Sequence, residues 1–238
     1  MPETLDQLLM TRPPTADRPL LGVMVLVVED SRYACEAVRL MCQRSGARIR
    51  RAESLASATR HLMAYRPRVA LIDLGLPDGS GLTLIEQLAR SEPGIDAIVA
   101  ISGDDTLAKD ARDAGADMFL AKPLSSLLDF QSAILSLLPE DDHPDHIDYP
   151  LEDSIEPDPL ALRDDLSLAA DLLNENPRPG TLSYVATFLK GLSRAADDRE
   201  LAEIGAMVEK LTPKEPDYAA SQGIAAMLER RRDGISNV

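Results

Sequence analysis

The first 140 positions alternate between short apolar runs and longer segments with a helical repeat. Three runs, 23–28 (VMVLVV), 68–73 (RVALID) and 96–102 (DAIVAIS), are β-branched-rich and almost unbroken, the pattern of strands buried on both faces. Two more, 47–52 (ARIRRA) and 117–121 (DMFLA), read as shorter strands. Between them the spacing predicts helices over 32–45, from Ser54, over 82–89, over 105–114 and over 124–138. Five βα units of this size predict a parallel sheet covered on both faces by helices, an α/β doubly wound domain over 21–138. Residues 1–20 read as an N-terminal extension, in which Thr4 opens a short helix carrying Leu5, Leu8 and Leu9 before "RPPTADRP" breaks it.

Beyond 138 the pattern changes twice. Residues 139–157 are proline-rich, acidic and without period, and read as a solvated linker. From 158 to 238 the repeat is helical throughout, predicting a small all-α domain of four amphipathic helices. Their stripes are Leu162, Leu166, Ala169 and Leu173; then Leu182, Val185, Leu189 and Leu192; then Leu201, Ile204, Val208 and Leu211; then Tyr218, Ile224 and Leu228. Asp197 with Glu200 reads as a capping box before the third.

Open parallel sheets carry their sites outside the carboxyl ends of the strands. There the chain places Glu29 and Asp30, Asp73, Ser102, and Lys122 followed by Pro123. Three converging acids need a cation, and oxygen ligands without a Cys/His set suit Mg²⁺ rather than zinc. Pro77, Gly79 and Gly81 fit a tight loop after the third strand.

Charge refines this picture. The net charge is −15. Most of it is local, since residues 139–165 hold 11 acids against Arg163 alone. No basic face tracks a nucleic-acid backbone, and aromatic residues are too few, at 3%, for base stacking. Cys35 and Cys42 lie two helical turns apart, too far to pair on one helix, and read as buried thiols of a reducing compartment. His143 and His146 sit among acids in the linker, where nothing fixes them as ligands. No secretory signal or membrane-length apolar run is evident, so the expected location is cytoplasmic.

The motifs "VEDS", "LIDLGLPDGSG", "AIS" and "FLAKP", in this order, resemble the receiver domain of bacterial two-component response regulators over about residues 21–138. The resemblance implies that Asp73 is the phosphoacceptor and that Mg²⁺ is held by Glu29, Asp30, Asp73 and the backbone carbonyl of Gly75. It implies that Lys122 and Ser102 contact the phosphoryl group, that Ser102 and Phe119 form the switch pair, and that Lys122–Pro123 is cis. Phe119 stands where the family often has Tyr, Gly103 where it usually has Ala, and Gly75 and Asp104 at positions that tune phosphoryl lifetime. The chain is then expected not to be an enzyme beyond its own phosphorylation and dephosphorylation.

The partners implied are a sensor histidine kinase or phosphotransfer protein, an unidentified downstream protein and a second copy of the chain. The apolar helix 124–138 and the N-terminal extension suggest the last. A helical output that binds protein is expected, with DNA binding the alternative, for which Arg230–Arg232 count weakly. "LTPKE" at 211–215 and "GISN" at 234–237 resemble pieces of a helix-turn-helix, but their separation does not fit one. No histidine follows His146, so the helices cannot form a phosphotransfer bundle. Neither a membrane nor a second cofactor is implied.

Overall fold

A computed structural model describes residues 13–92, 94–148, 153–175, 177–211 and 217–235. The N-terminal helix expected around Leu5–Leu9 lies outside these residues. Five parallel strands, β1 (Met24–Val28), β2 (Arg48–Ala52), β3 (Val69–Asp73), β4 (Ala97–Ser102) and β5 (Met118–Ala121), form one sheet in the order β2-β1-β3-β4-β5. The three runs with unbroken apolar character occupy the centre, and every residue of β1, β3 and β4 is buried. β2, which carries three arginines, is an edge strand with its middle exposed, as charge on an open edge requires.

Five helices cover the sheet: α1 (Arg32–Ser45), α2 (Leu55–Ala64), α3 (Gly81–Ala89), α4 (Ala108–Ala114) and α5 (Leu127–Leu135). Ser31 caps α1 by accepting from Ala34 N–H, and Gly46 ends it in the left-handed conformation (φ 82°). The faces separate into two cores, one around Val25, Val27, Met41 and Ile134, the other around Leu26, Ala70, Ile72 and Ile85. Period two along the central strands feeds each face in turn.

Two helices differ from the pattern-based reading. The segment expected over 105–114 opens with a 3-10 turn at Asp105–Leu107, capped by Asp104, before α4 begins. The helix expected over 124–138 shortens to Leu127–Leu135. Its first residues are taken by the chain that follows: Ser126 pairs with Ser154, Ile155 N–H donates to the Ser125 carbonyl (2.9 Å), and Leu127 N–H donates to that of Asp153 (2.9 Å). Leu127, Phe130, Ile134 and Leu135 are buried in the core with Leu138 and Ile155. These positions of the helix expected as a self-association face are therefore buried inside the chain, while residues 1–12 of the N-terminal extension lie outside the described residues.

The described part of the acidic segment is likewise held against the sheet unit at several points. Asp142 pairs with Arg68 (2.6 Å), His143 Nε2 lies 3.1 Å from the Leu138 carbonyl, and Asp148 N–H donates to the Ala16 carbonyl (2.9 Å). Further on, Asp153, Ser154 and Ile155 pair with the N-terminus of α5.

Four helices follow: α6 (Pro159–Asn174), α7 (Pro179–Ala195), α8 (Arg199–Lys210) and α9 (Tyr218–Asp233). α6 pairs mainly with α9 and α7 with α8. The expected stripes form their core, from Leu162 to Leu228. Two positions depart. Leu211 packs only at the margin, and Tyr218 is 49% exposed at the first residue of α9. The third cap falls one residue later than expected, because Asp197 takes a positive φ (49°) as the turn residue and Asp198 accepts from Leu201 N–H.

Cys35 and Cys42 are buried in α1, and burial pushes both thiols up, to about 11 and about 12. Neither has thiolate to offer near neutral pH. A thiol reagent such as DTNB is expected to leave both unmodified at pH 7.5 in the native chain and to titrate two thiols in guanidinium. Rapid native labelling of either would show that α1 opens.

Candidate functional site

The rim at the carboxyl ends of β1, β3, β4 and β5 is built by abrupt changes from apolar to polar sequence. Glu29 and Asp30 follow β1 directly, Asp73 and Ser102 end β3 and β4, and Lys122 follows β5 directly and precedes a cis bond to Pro123. All but Asp30, which is half-buried, are nearly removed from solvent. Glycine is obligatory nearby. A Cβ on Gly81 would stand 2.1 Å from the Asp73 carbonyl oxygen, so the start of α3 approaches Asp73 only because that side chain is absent. Between them Gly75–Leu76 pairs with Gly79–Ser80 as a tiny antiparallel hairpin, and Asp78 caps α2 by accepting from Leu55 and Ala56 N–H (both 2.9 Å).

The five expected site residues come together. Lys122 Nζ lies 2.6 Å from Glu29 Oε2 and 3.3 Å from Asp73 Oδ1, a buried cation between two carboxylates. Oxygens of Glu29, Asp30 and Asp73 all lie within 4.8 Å of one another. Such a donor set fits a hard divalent cation that keeps some of its waters. Ser102 Oγ accepts from Asp104 N–H (3.0 Å). Phe119, in β5, packs half-buried against the core beneath this rim. Gly75 lines the same cleft as Asp73.

Burial sets the titration of these groups. It raises Asp30 to about 6, opposed by a hydrogen bond from the Tyr184 hydroxyl and reinforced by the neighbouring Asp73 charge. It raises Glu29 as well, against the pull of Lys122. Burial also pushes Lys122 down, but Asp73 and Glu29 more than offset this, and the amine stays charged.

A carboxyl raised in the folded state binds protons more tightly there than in the unfolded chain. Its contribution is full below the unfolded value near 3.8 and is lost as pH rises through about 6. A rise of that size corresponds to at most about 3 kcal/mol, which partial exposure cuts to about 1–2 kcal/mol. In EDTA, Asp30→Asn is therefore expected to melt above the wild type at pH 7, and the gap to close as pH falls from about 6 to 4. Thermal melts at both ends check this; a gap independent of pH would contradict it.

The sequence reading missed the roof of the site. Helix α7 crosses the rim. The Tyr184 hydroxyl donates to Asp30 Oδ2 (2.7 Å), and Lys190 Nζ pairs with Asp104 Oδ2 (2.9 Å). Thr187 Cγ2 lies 3.0 Å from where a Cβ on Gly75 would stand. From α6, Asp165 is buried (1% exposed) and accepts from Ser31 Oγ, Arg32 N–H and Tyr33 N–H at 2.8–3.0 Å. It thus caps α1 from the other unit. Its one sequence signal is a second acid beside Asp164 on the inward face of an apolar helix. A cleft of about 780 Å³ remains between the strand ends and α7–α8, lined by Asp30, Asp73, Lys122 and Gly191 among others. Among the described residues no helix is long and apolar enough to cross a membrane.

Residues 25–130 match the family model described as "Response regulator receiver domain". The virulence transcriptional regulatory protein PhoP of Salmonella typhimurium is 33% identical over 100 residues, covering 42% of this chain and 45% of that protein. The transcriptional regulatory protein PhoP of Escherichia coli is 32% identical over 100 residues with the same coverage. The chain thus spans about half the length of these curated relatives. Among solved structures, a CheY-like receiver domain from Methylobacillus flagellatus is 29% identical, with a TM-score of 0.44, over 48% of this chain and 98% of that one. The response regulator TrrA of Thermotoga maritima, solved with Mg²⁺–BeF, is 21% identical, with a TM-score of 0.44, over 49% and 99%.

Proposed function

Because residues 25–130 of this chain are a response regulator receiver domain, we propose that the protein receives a phosphoryl group on Asp73 in a Mg²⁺-dependent reaction and signals through helices α6–α9 by binding protein. The observation that carries this reading is Lys122 held between Glu29 and Asp73, beside the Glu29–Asp30–Asp73 set, at the strand ends of a parallel sheet.

The chemistry follows from those positions. A carboxylate oxygen of Asp73 attacks the phosphorus of the donor, the bond from phosphorus to the donor's leaving atom breaks, and an acyl phosphate forms. The donor is a phosphohistidine on a kinase or phosphotransfer protein, or a small acyl phosphate. Lys122, already charged and within reach of Asp73, neutralises the phosphoryl oxygens. Ser102 gives up its bond from Asp104 N–H and offers its hydroxyl to the same group. Glu29, Asp30, Asp73 and the Gly75 carbonyl would hold Mg²⁺, which would supply further charge neutralisation. Phe119 beneath the rim responds to the Ser102 movement. No other reaction is assigned.

The helical output sits where it can register this event, since α6 and α7 bond to the stretch around Asp30 and Asp104. A rival reading is transcriptional control, the function printed for the curated relatives. The basic end of α9 is its main support, but Arg231 is paired with Asp198 and Glu200, and Arg232 with Asp233. The primary test is incubation with acetyl phosphate and Mg²⁺, read by intact mass. A gain of one phosphoryl group is expected, and none in EDTA. Salt-dependent binding of duplex DNA by the phosphorylated chain would favour the rival.

A further inference from the structure

We propose that Tyr184 is a positioning residue for the cation site: from helix α7 it holds the Asp30 carboxylate in orientation, so that the helical unit completes the phosphoacceptor pocket and Mg²⁺ binding tightens the seat between the two units. This rests on the reading above that Glu29, Asp30 and Asp73 hold Mg²⁺.

Three observations carry it. First, the Tyr184 hydroxyl donates to Asp30 Oδ2 at 2.7 Å, while Oδ1 accepts from Ser31 N–H at 3.1 Å. A carboxylate oxygen has lone pairs for both a hydroxyl and a cation, and ligating carboxylates are commonly fixed by such outer hydrogen bonds. Second, the neighbouring backbone is fixed from the same unit, because Asp165 bonds Ser31, Arg32 and Tyr33, the three residues after Asp30. Third, the cation does not need α7 to leave. The cleft between the strand ends and α7–α8 holds about 780 Å³, many times the roughly 30 Å³ of a water, and its lining includes Glu29, Asp30, Asp73 and Lys122, so the acids face open space with the helix in place. Gly191 of α7 borders this space, and a Cβ there would stand 4.0 Å from Lys122 Nζ, an ordinary contact distance.

If the seat orients a ligand of the cation, linkage makes the effect mutual, and the cation stabilises the seat by the same factor.

The test is calorimetric titration of Mg²⁺ into the metal-free full chain. Tyr184→Phe is expected to weaken binding about 10-fold. Phosphoryl uptake from acetyl phosphate should then require correspondingly more Mg²⁺ but reach the wild-type rate at saturation. To separate the hydroxyl from the seat, Gly103→Cys with Arg194→Cys locks α7 down. A Cβ at 103 would stand 3.6 Å from Arg194 Cβ, within the roughly 3.5–4.5 Å of a disulfide. The weakening should persist in the oxidised, locked chain, and Mg²⁺ should speed closure of that disulfide in the reduced one. Unchanged affinity, tighter binding by Tyr184→Phe, or a deficit that vanishes on locking would each overturn the proposal. Asp30→Asn separates the two levels. If it binds Mg²⁺ as the wild type does, the metal reading itself fails. If it loses binding while Tyr184→Phe retains it, only the present inference fails.

Discussion

Asp73→Asn is expected to take up no detectable phosphoryl group from acetyl phosphate under conditions that load the wild type. The amide keeps the size of the carboxylate but has no anionic oxygen to attack phosphorus. The site leaves little room for substitute chemistry. Asp73 ends a fully buried strand and is 7% exposed, and Gly81 closes against its backbone. Glu29 is the nearest alternative, but its Oε2 is engaged by Lys122 at 2.6 Å and its Oε1 by Ser31 N–H at 3.1 Å. Because Asp73 is one of two acids around Lys122, the variant should remain folded, which circular dichroism checks. Full uptake by Asp73→Asn would refute the assignment of the acceptor.

Lys122→Met is expected to have the largest effect on stability. The amine is buried between Glu29 and Asp73, and Met is close to it in volume. Its removal leaves two buried carboxylates facing each other and Asp30, uncompensated. Breaking a buried pair from one side costs about 3–5 kcal/mol. For a chain of this size that is a fall of roughly 6–20 °C in melting temperature. Protonation of Glu29, already raised by burial, limits the loss, so it should be smaller at pH 6 than at pH 8. Mg²⁺ should restore part of it, since a second cation then faces the same acids. Melts in EDTA and in Mg²⁺ at both pH values decide this; a loss below about 1 kcal/mol would mean the pair is not what holds the rim together.

Much of the sheet was legible because its central strands are short and apolar on both faces, and each ends in a residue too polar to continue. Val28 to Glu29, Ile72 to Asp73 and Ile101 to Ser102 are such breaks, and the gathered site follows from parallel strands delivering them to one edge. The four late helices were legible for the same reason, a steady apolar stripe on each. What escaped was set by contacts between distant residues. The true start of α5 depends on Ser154 and Ile155, and the cap of α8 on Asp197 accepting a positive φ. Least visible was the seating of α7. Tyr184, Thr187 and Gly191 recur at helical spacing, but a tyrosine, a threonine and a glycine do not announce a face, and their partners Asp30, Gly75 and Lys122 lie far away in sequence. Asp165 shows why: an acid is ordinarily placed at the surface, and only the Arg32 and Tyr33 N–H groups of α1, which the Ser31 cap does not reach, explain its burial.

The anchoring of the acidic segment governs how far the helical unit can travel. Ile155 is fixed to Ser125, and α6 begins at Pro159. Three residues, 156–158, are the whole leash, a reach of roughly 14 Å even fully extended. A unit on so short a tether meets its seat at an effective concentration in the millimolar range, whatever the amount of protein present. Opening and reclosing are then properties of one molecule, insensitive to dilution. A downstream protein competes with a neighbour that never diffuses away.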